Sequence, residues 1–239
     1  MTNSFDIGKW VMKLLETTGS YRDLVNFVND KEAFLKHAHQ KKIYCATEDD
    51  NNIEIVSIKD SEHKEDFIQV IQEGIEHSID NYSNQMVVIL ATYIETIHSD
   101  FFRALFTNNP QLIYNHISQN NSHPGYVHLN LILESKSRDE IIDNLIIHAV
   151  KNISTGSLRK VNEKIYKITN YNIDKNLIKS MQVNILDKRN NIVHENKLSR
   201  ITQENIEDYF ELVHNYILSL AKACEKNNIP YIDQANWLK

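Results

Sequence analysis

At 239 residues the chain is long enough to bury the core of one sizeable domain unaided. Hydrophobic residues at 41% and charged residues at 24% match ordinary globular usage, and only five Gly and three Pro leave little room for sharp turns, which favours helices. A net charge of −6 excludes a protein that coats nucleic acid indiscriminately, because such binding is driven by neutralising phosphates.

The first thirty residues carry Asp6, Glu16, Asp23 and Asp30, with no apolar run set between basic residues and a cleavage site, so no signal peptide is expected. The longest apolar run, Met86 to Ala91, falls far short of the ~20 residues that span a bilayer. The expectation is a cytoplasmic protein without a membrane partner. Cys45 and Cys224 lie far apart and form no metal-ligand spacing, so both read as reduced packing residues, and no metal or cofactor is expected.

In chain order, Ile7, Trp10, Val11, Leu14 and Leu15 recur at helical spacing up to Gly19-Ser20, and Leu24, Phe27, Val28, Phe34 and Leu35 continue in a second helix. The period then changes. Residues Ile43 to Thr47 and Ile53 to Ile58 flank the polar stretch Glu48-Asp49-Asp50-Asn51-Asn52, which predicts a β-hairpin and the only trusted strands. From Phe67 the pattern is helical again. A segment opening after Ser83 sets Val87, Leu90, Ala91, Ile94, Phe101 and Leu105 on one stripe, ending at Asn108-Asn109-Pro110. Glu95 and Asp100 fall inside this central helix, either at its exposed edge or with partners, because unpaired buried carboxylates are costly.

Residues 110–136 read as an excursion from the bundle, and His116, His123 and His128 within it as surface or packing histidines, because they straddle a Pro-Gly turn without a carboxylate partner. Ser137-Arg138-Asp139-Glu140 matches a capping box, predicting a helix with Ile142, Leu145 and Ala149. Ser157 and Asp174 would each cap a further helix, and Thr202 a long closing one bearing Ile206, Phe210, Val213, Ile217, Leu220 and Cys224, ended by Asn227-Asn228-Ile229-Pro230. The predicted fold is all-α, an up-and-down helical bundle over residues 66–239 with an N-terminal helical extension, residues 1–65, that contains the small β-hairpin.

Charge is unevenly distributed. Residues 151–200 hold eleven Lys/Arg against four acids, net +7, so the remainder carries −13. A basic window of this kind suits a local polyanion site or, on charge alone, a solvated helix face, whereas residues 1–80, with sixteen acids against nine Lys/Arg, suit a partner-binding or self-shielding role. Inside the basic window, just before the closing helix, lies Asp187-Lys188-Arg189-Asn190-Asn191-Ile192-Val193-His194-Glu195.

An Arg–His spacing alone carries little weight, since a match arises by chance roughly once in such a chain. Its setting carries more: an amphipathic helix, then Arg189, Asn190 and His194, then a capped start at Thr202 and a long last helix. This arrangement resembles the HEPN superfamily of all-α domains, whose nuclease members carry Arg, a polar residue, three to five others and His before the last helix. The resemblance covers roughly residues 65–227 in architecture and is specific over about 185–217. Within the superfamily the chain is most similar to stand-alone ribonucleases of toxin and antiviral-defence systems. Members partnered by a nucleotidyltransferase antitoxin carry Tyr two residues after the His, where this chain has Asn196.

The resemblance implies a metal-independent endoribonuclease with its site at a homodimer interface, leaving a 2′,3′-cyclic phosphate and a 5′-hydroxyl. The chemistry is independently reasonable. Metal-free cleavage needs a proton-transfer group for the 2′-hydroxyl and leaving oxygen, a task suited to His194, and a fixed cation for the phosphoryl oxygens, a task suited to the forked guanidinium of Arg189. Asn190, four residues before His194, would orient the imidazole or hold a phosphate. Lys188, Lys197 and Arg200 would guide the RNA backbone. Arg189 and His194 lie five positions apart, about 140° around a straight helix, so one helix cannot aim both at one phosphate. Either the helix ends inside the cluster or a second copy completes the site across a two-fold axis. An antitoxin or other regulatory protein is the further partner expected. The competing reading is a non-catalytic module of the same lineage that binds a protein through its acidic N-terminal part.

Overall fold

The computed structural model describes residues 4–46, 53–113, 129–154, 156–195 and 197–238. A two-residue strand, β1 (Phe5–Asp6), leads into α1 (Ile7–Asn29), where the Asp6 side chain accepts from Lys9 N at 2.9 Å and so satisfies a free donor of the first turn. This helix runs straight through Gly19-Ser20, where the sequence suggested a break. One Gly costs a helix only about 1 kcal/mol, and Tyr21 and Val25 extend the buried stripe of Ile7, Trp10, Val11 and Leu14 beyond it. The boundary between the two N-terminal helices falls instead at Asp30. Its carboxylate accepts from Glu32 N and Ala33 N to start α2 (Lys31–Gln40).

The hairpin is present, with β2 (Lys42–Ala46) antiparallel to β3 (Ile53–Ser57) and Tyr44 opposite Ile55; its polar turn lies outside the described residues. A short 3-10 turn, Ile58–Asp60, precedes α3 (Lys64–Asn108). The expected apolar stripe does open at Ser83, but the helix begins at Lys64, and its residues up to Tyr82 are half-buried or exposed. Asp100 is paired, with Lys9 Nζ 2.7 Å from its Oδ2. Residues 114–128, with His116, His123 and His128, lie outside the described residues.

After α4 (Leu129–Glu134), α5 (Arg138–Ile153) starts at Ser137, whose hydroxyl accepts from Glu140 N at 3.1 Å. The reciprocal half of the expected box is shifted by one residue, because the Glu140 carboxylate accepts from Lys136 N rather than Ser137 N. Ser157 caps α6 (Leu158–Thr169), and Asp174 caps α7 (Lys175–Met181), through Lys160 N and Asn176 N respectively. The chain continues without interruption through a π-helical segment, Gln182–Asp187, into α8 (Lys188–Glu195). Thr202 opens α9 (Gln203–Lys226) with a capping box closed by Asn205.

A last strand, β4 (Tyr231–Ile232), pairs in parallel with β1, and Phe5 N donates to Pro230 O at 3.0 Å. Strands of two residues have no readable alternation, so sequence pattern did not reveal this pairing. One core unites α1, α3, α5, α6, α7 and α9. Trp10, Tyr21, Phe101, Phe102, Phe106, Met181, Ile185, Tyr216, Ile217 and Leu220 are fully or almost fully buried in it, with α9 packed against α1 and α3. Thus the N-terminal helix shares its apolar interior with the bundle. Cys224 belongs to this interior as a free thiol, and burial pushes its pKa up to about 12.

Candidate active site

The segment that carries the Arg189–His194 cluster is one helix from residue 175 to residue 195, with a π turn at its middle. A π turn admits an extra residue and so rotates the next turns of helix relative to the apolar stripe. Ile178, Met181 and Ile185 are buried, whereas α8 beyond the turn contributes no fully buried residue. Gln182 braces this junction. Its amide donates to Asp187 Oδ1 at 2.7 Å, and its Oε1 accepts from Leu158 N at 3.1 Å, tying the π turn to the start of α6.

Lys188, first in α8, is half-buried and points at α9. Its Nζ donates to the Tyr209 hydroxyl and lies 4.9 Å from the ring centroid, so this ammonium is held by an aromatic face as well as an oxygen. Arg189 turns toward α3, with Nη2 3.6 Å from Glu95 Oε1 and Nη1 donating to Asn190 Oδ1 at 3.1 Å. The guanidinium is therefore oriented on two sides by acceptors. Glu95 is itself on the exposed edge of α3, so it is at once exposed and partnered.

His194 is exposed, and among the described residues nothing hydrogen-bonds its ring. The helix does not end inside the cluster but continues to Glu195, so the imidazole and the guanidinium leave different faces. The chain brings together Arg189, Asn190 and Glu95 and leaves His194 apart. Lys197 pairs with Glu195 at 2.5 Å, and Arg200 is exposed. Asn196 lies outside the described residues.

The connection after α8 is fixed by a residue that sequence reading missed. Asn84, buried in α3, donates from Nδ2 to Ser199 O at 2.8 Å and accepts from Ser199 N at 3.1 Å, pairing both backbone groups of one loop residue. A polar residue in an otherwise apolar stripe was the available signal. Lys197 N also donates to Asn191 O, closing the helix end.

A family model described as RiboL-PSP-HEPN matches residues 47–226. The chain belongs to this family. Comparison with curated proteins and with solved structures returned no match. The matched region takes in the hairpin's second strand and every helix from α3 to α9, and the structure is an all-α HEPN-like bundle carrying a small N-terminal hairpin. Among the described residues no helix is long and apolar enough to cross a membrane.

Proposed function

We propose that this HEPN protein is a metal-independent endoribonuclease whose site is composed across a homodimer. One observation carries the reading. The helix runs unbroken through Arg189, Asn190 and His194, so a single copy turns its arginine to α3 and its histidine to solvent, and a second copy related by a two-fold axis supplies the missing partner. The outer side of α8 suits that contact. Asn190, Asn191 and Val193 are exposed there, as is Leu198 just beyond, and α8 has no fully buried residue.

In the assembled site His194 moves the proton between the ribose 2′-hydroxyl and the leaving 5′-oxygen. Arg189 neutralises charge developing on the phosphoryl oxygens. Asn190 positions the guanidinium, which it already contacts. Attack by the 2′-oxygen on phosphorus expels the 5′-oxygen and leaves a 2′,3′-cyclic phosphate and a 5′-hydroxyl. Lys197 and Arg200, on the loop after α8, steer the RNA, while Lys188 is tethered to Tyr209 and acts more through helix placement. The setting that fits is a cytoplasmic toxin or antiviral-defence effector, restrained by an antitoxin or other regulatory protein that docks on the acidic N-terminal third, residues 1–80.

The decisive experiment is cleavage of end-labelled RNA in EDTA by the parent protein, His194→Ala and Arg189→Ala, with product ends mapped. Cleavage by the parent alone supports the enzyme. Absence of cleavage by all three supports a non-catalytic HEPN-like interaction module, a reading favoured by the occupation of Arg189 by Glu95 within one chain.

A further inference from the structure

A cavity of about 890 Å³ lies between α6 and the helical segment 175–183, away from the Arg189–His194 cluster. Its floor is apolar, with Ile178 buried and Val183 half exposed. Arg159, Lys167, Lys175 and Lys179 line it against one acid, Glu163, and Arg159 neutralises that acid at 3.1 Å. Among the described residues Lys167, Lys175 and Lys179 form no ion pair, so three lysines of the lining are left without a carboxylate partner.

A further feature points to a ligand with a flat part. Tyr166 lines the groove with half of its surface open.

We infer that this groove seats single-stranded RNA, with its phosphates on Lys167, Lys175 and Lys179 and a base stacked on Tyr166. Cations along a backbone track with an interleaved aromatic is the arrangement that grips unpaired strands, and the volume suits one or two nucleotides. A duplex hides its base faces and cannot use the tyrosine. The choice of RNA over other polyanions rests on the nuclease reading above. The groove and α8 share one continuous helix, so a strand held at Lys175 and Lys179 is directed along it toward the cleavage cluster.

The test measures binding apart from cleavage. Fluorescence anisotropy in EDTA would follow a labelled oligouridylate, a duplex RNA and a polyglutamate peptide with His194→Ala and, in that background, Lys167→Gln/Lys179→Gln, Tyr166→Leu and the distant control Lys36→Gln/Lys59→Gln. The expected result is preference for the single strand and a loss of ~10-fold or more in both groove variants. The double lysine variant should also show a shallower dependence on salt, by about 1.4 in the log–log slope, and the control none. Unchanged affinity and slope in the groove variants, with melting temperatures like the parent's, overturns the seat and leaves nuclease activity standing. Equal binding of polyglutamate at the groove overturns it as an RNA site. Groove-dependent RNA binding by a parent that cuts nothing keeps the seat and sinks the nuclease reading.

Discussion

The Arg189 guanidinium lies 3.6 Å from the Glu95 carboxylate, joining α8 to the middle of α3, with the arginine side chain 30% exposed and the glutamate 58%. At that exposure the pair is worth less than about 1 kcal/mol, so its importance is directional. It holds one end of the guanidinium while Asn190 holds another. Replacing Glu95 by Ala is expected to leave stability within about 1 kcal/mol of the parent yet lower kcat for RNA cleavage between about 10- and 100-fold, with KM little changed. Equilibrium denaturation and steady-state kinetics on one preparation test this. Parental kcat would show that the carboxylate does not position the arginine.

Asn84 is expected to matter beyond its size. Its amide serves both backbone groups of Ser199 and also donates to Asp80 O at 2.7 Å. Truncation to Ala takes this partner from both backbone groups of Ser199, at a cost of roughly 1–3 kcal/mol. The loop of residues 197–200, just beyond His194, loses its tether to α3. Faster amide exchange at 197–201 with unchanged protection in α9 is the expected signature. Uniformly faster exchange would mean the residue supports the core alone.

The sequence made the long helices and their caps readable because both depend on local chemistry. Ser157, Asp174 and Thr202 cap as their side-chain oxygens predict, and the stripe of α9 buries Ile206, Phe210, Val213, Ile217 and Leu220. Helix length was less readable. Gly19 and Ser83 looked like boundaries, but packing of Tyr21 on Ser83, their hydroxyls 2.8 Å apart, carries α1 and α3 past both. The Arg189–His194 cluster was visible as a motif, and its 140° problem came from spacing alone. Contacts made across the fold were not visible: neither Glu95 under Arg189, nor Tyr209 under Lys188, nor Asn84 behind Ser199 lies near its partner in sequence. The π turn, which sets the direction of α8, has no residue-type signature to read.

Acid should weaken the fold through a pair in the core. His98 Nε2 lies 2.7 Å from the Tyr216 hydroxyl, and burial pushes the His98 pKa down to about 3. The unfolded chain binds this proton near pH 6.5 and the folded chain does not, so stability is fully present above about 6.5 and falls as pH drops toward 3. The slope reaches about 1.4 kcal/mol per pH unit, giving a loss of about 2 kcal/mol between pH 7.5 and 5 from this group. His214, also lowered mainly by burial, adds in the same direction, while Glu207, held low by hydrogen bonds from Arg22 and Gln203, contributes only in the carboxylate range. Urea titrations of the parent and of His98→Leu/Tyr216→Phe, which removes both polar partners together, isolate this contribution. Equal pH slopes in the two proteins would contradict it.

On the proposed nuclease reading, mixing the Arg189→Ala and His194→Ala variants distinguishes a shared site from a self-contained one. Arg189→Ala keeps the imidazole and His194→Ala keeps the guanidinium. If each site takes Arg189 from one copy and His194 from the other, a heterodimer of the two variants rebuilds one intact site and ruins the second. Random re-pairing makes half of the dimers mixed, so the mixture is expected to recover about a quarter of parental activity, while each variant alone stays inactive. A site built within one chain gives no recovery at any ratio. The same experiment run on Arg189→Ala with Arg189→Ala/His194→Ala should show none under either geometry, because neither protein carries the arginine. Recovery that requires one arginine and one histidine from different chains is therefore the result that only the two-fold arrangement produces.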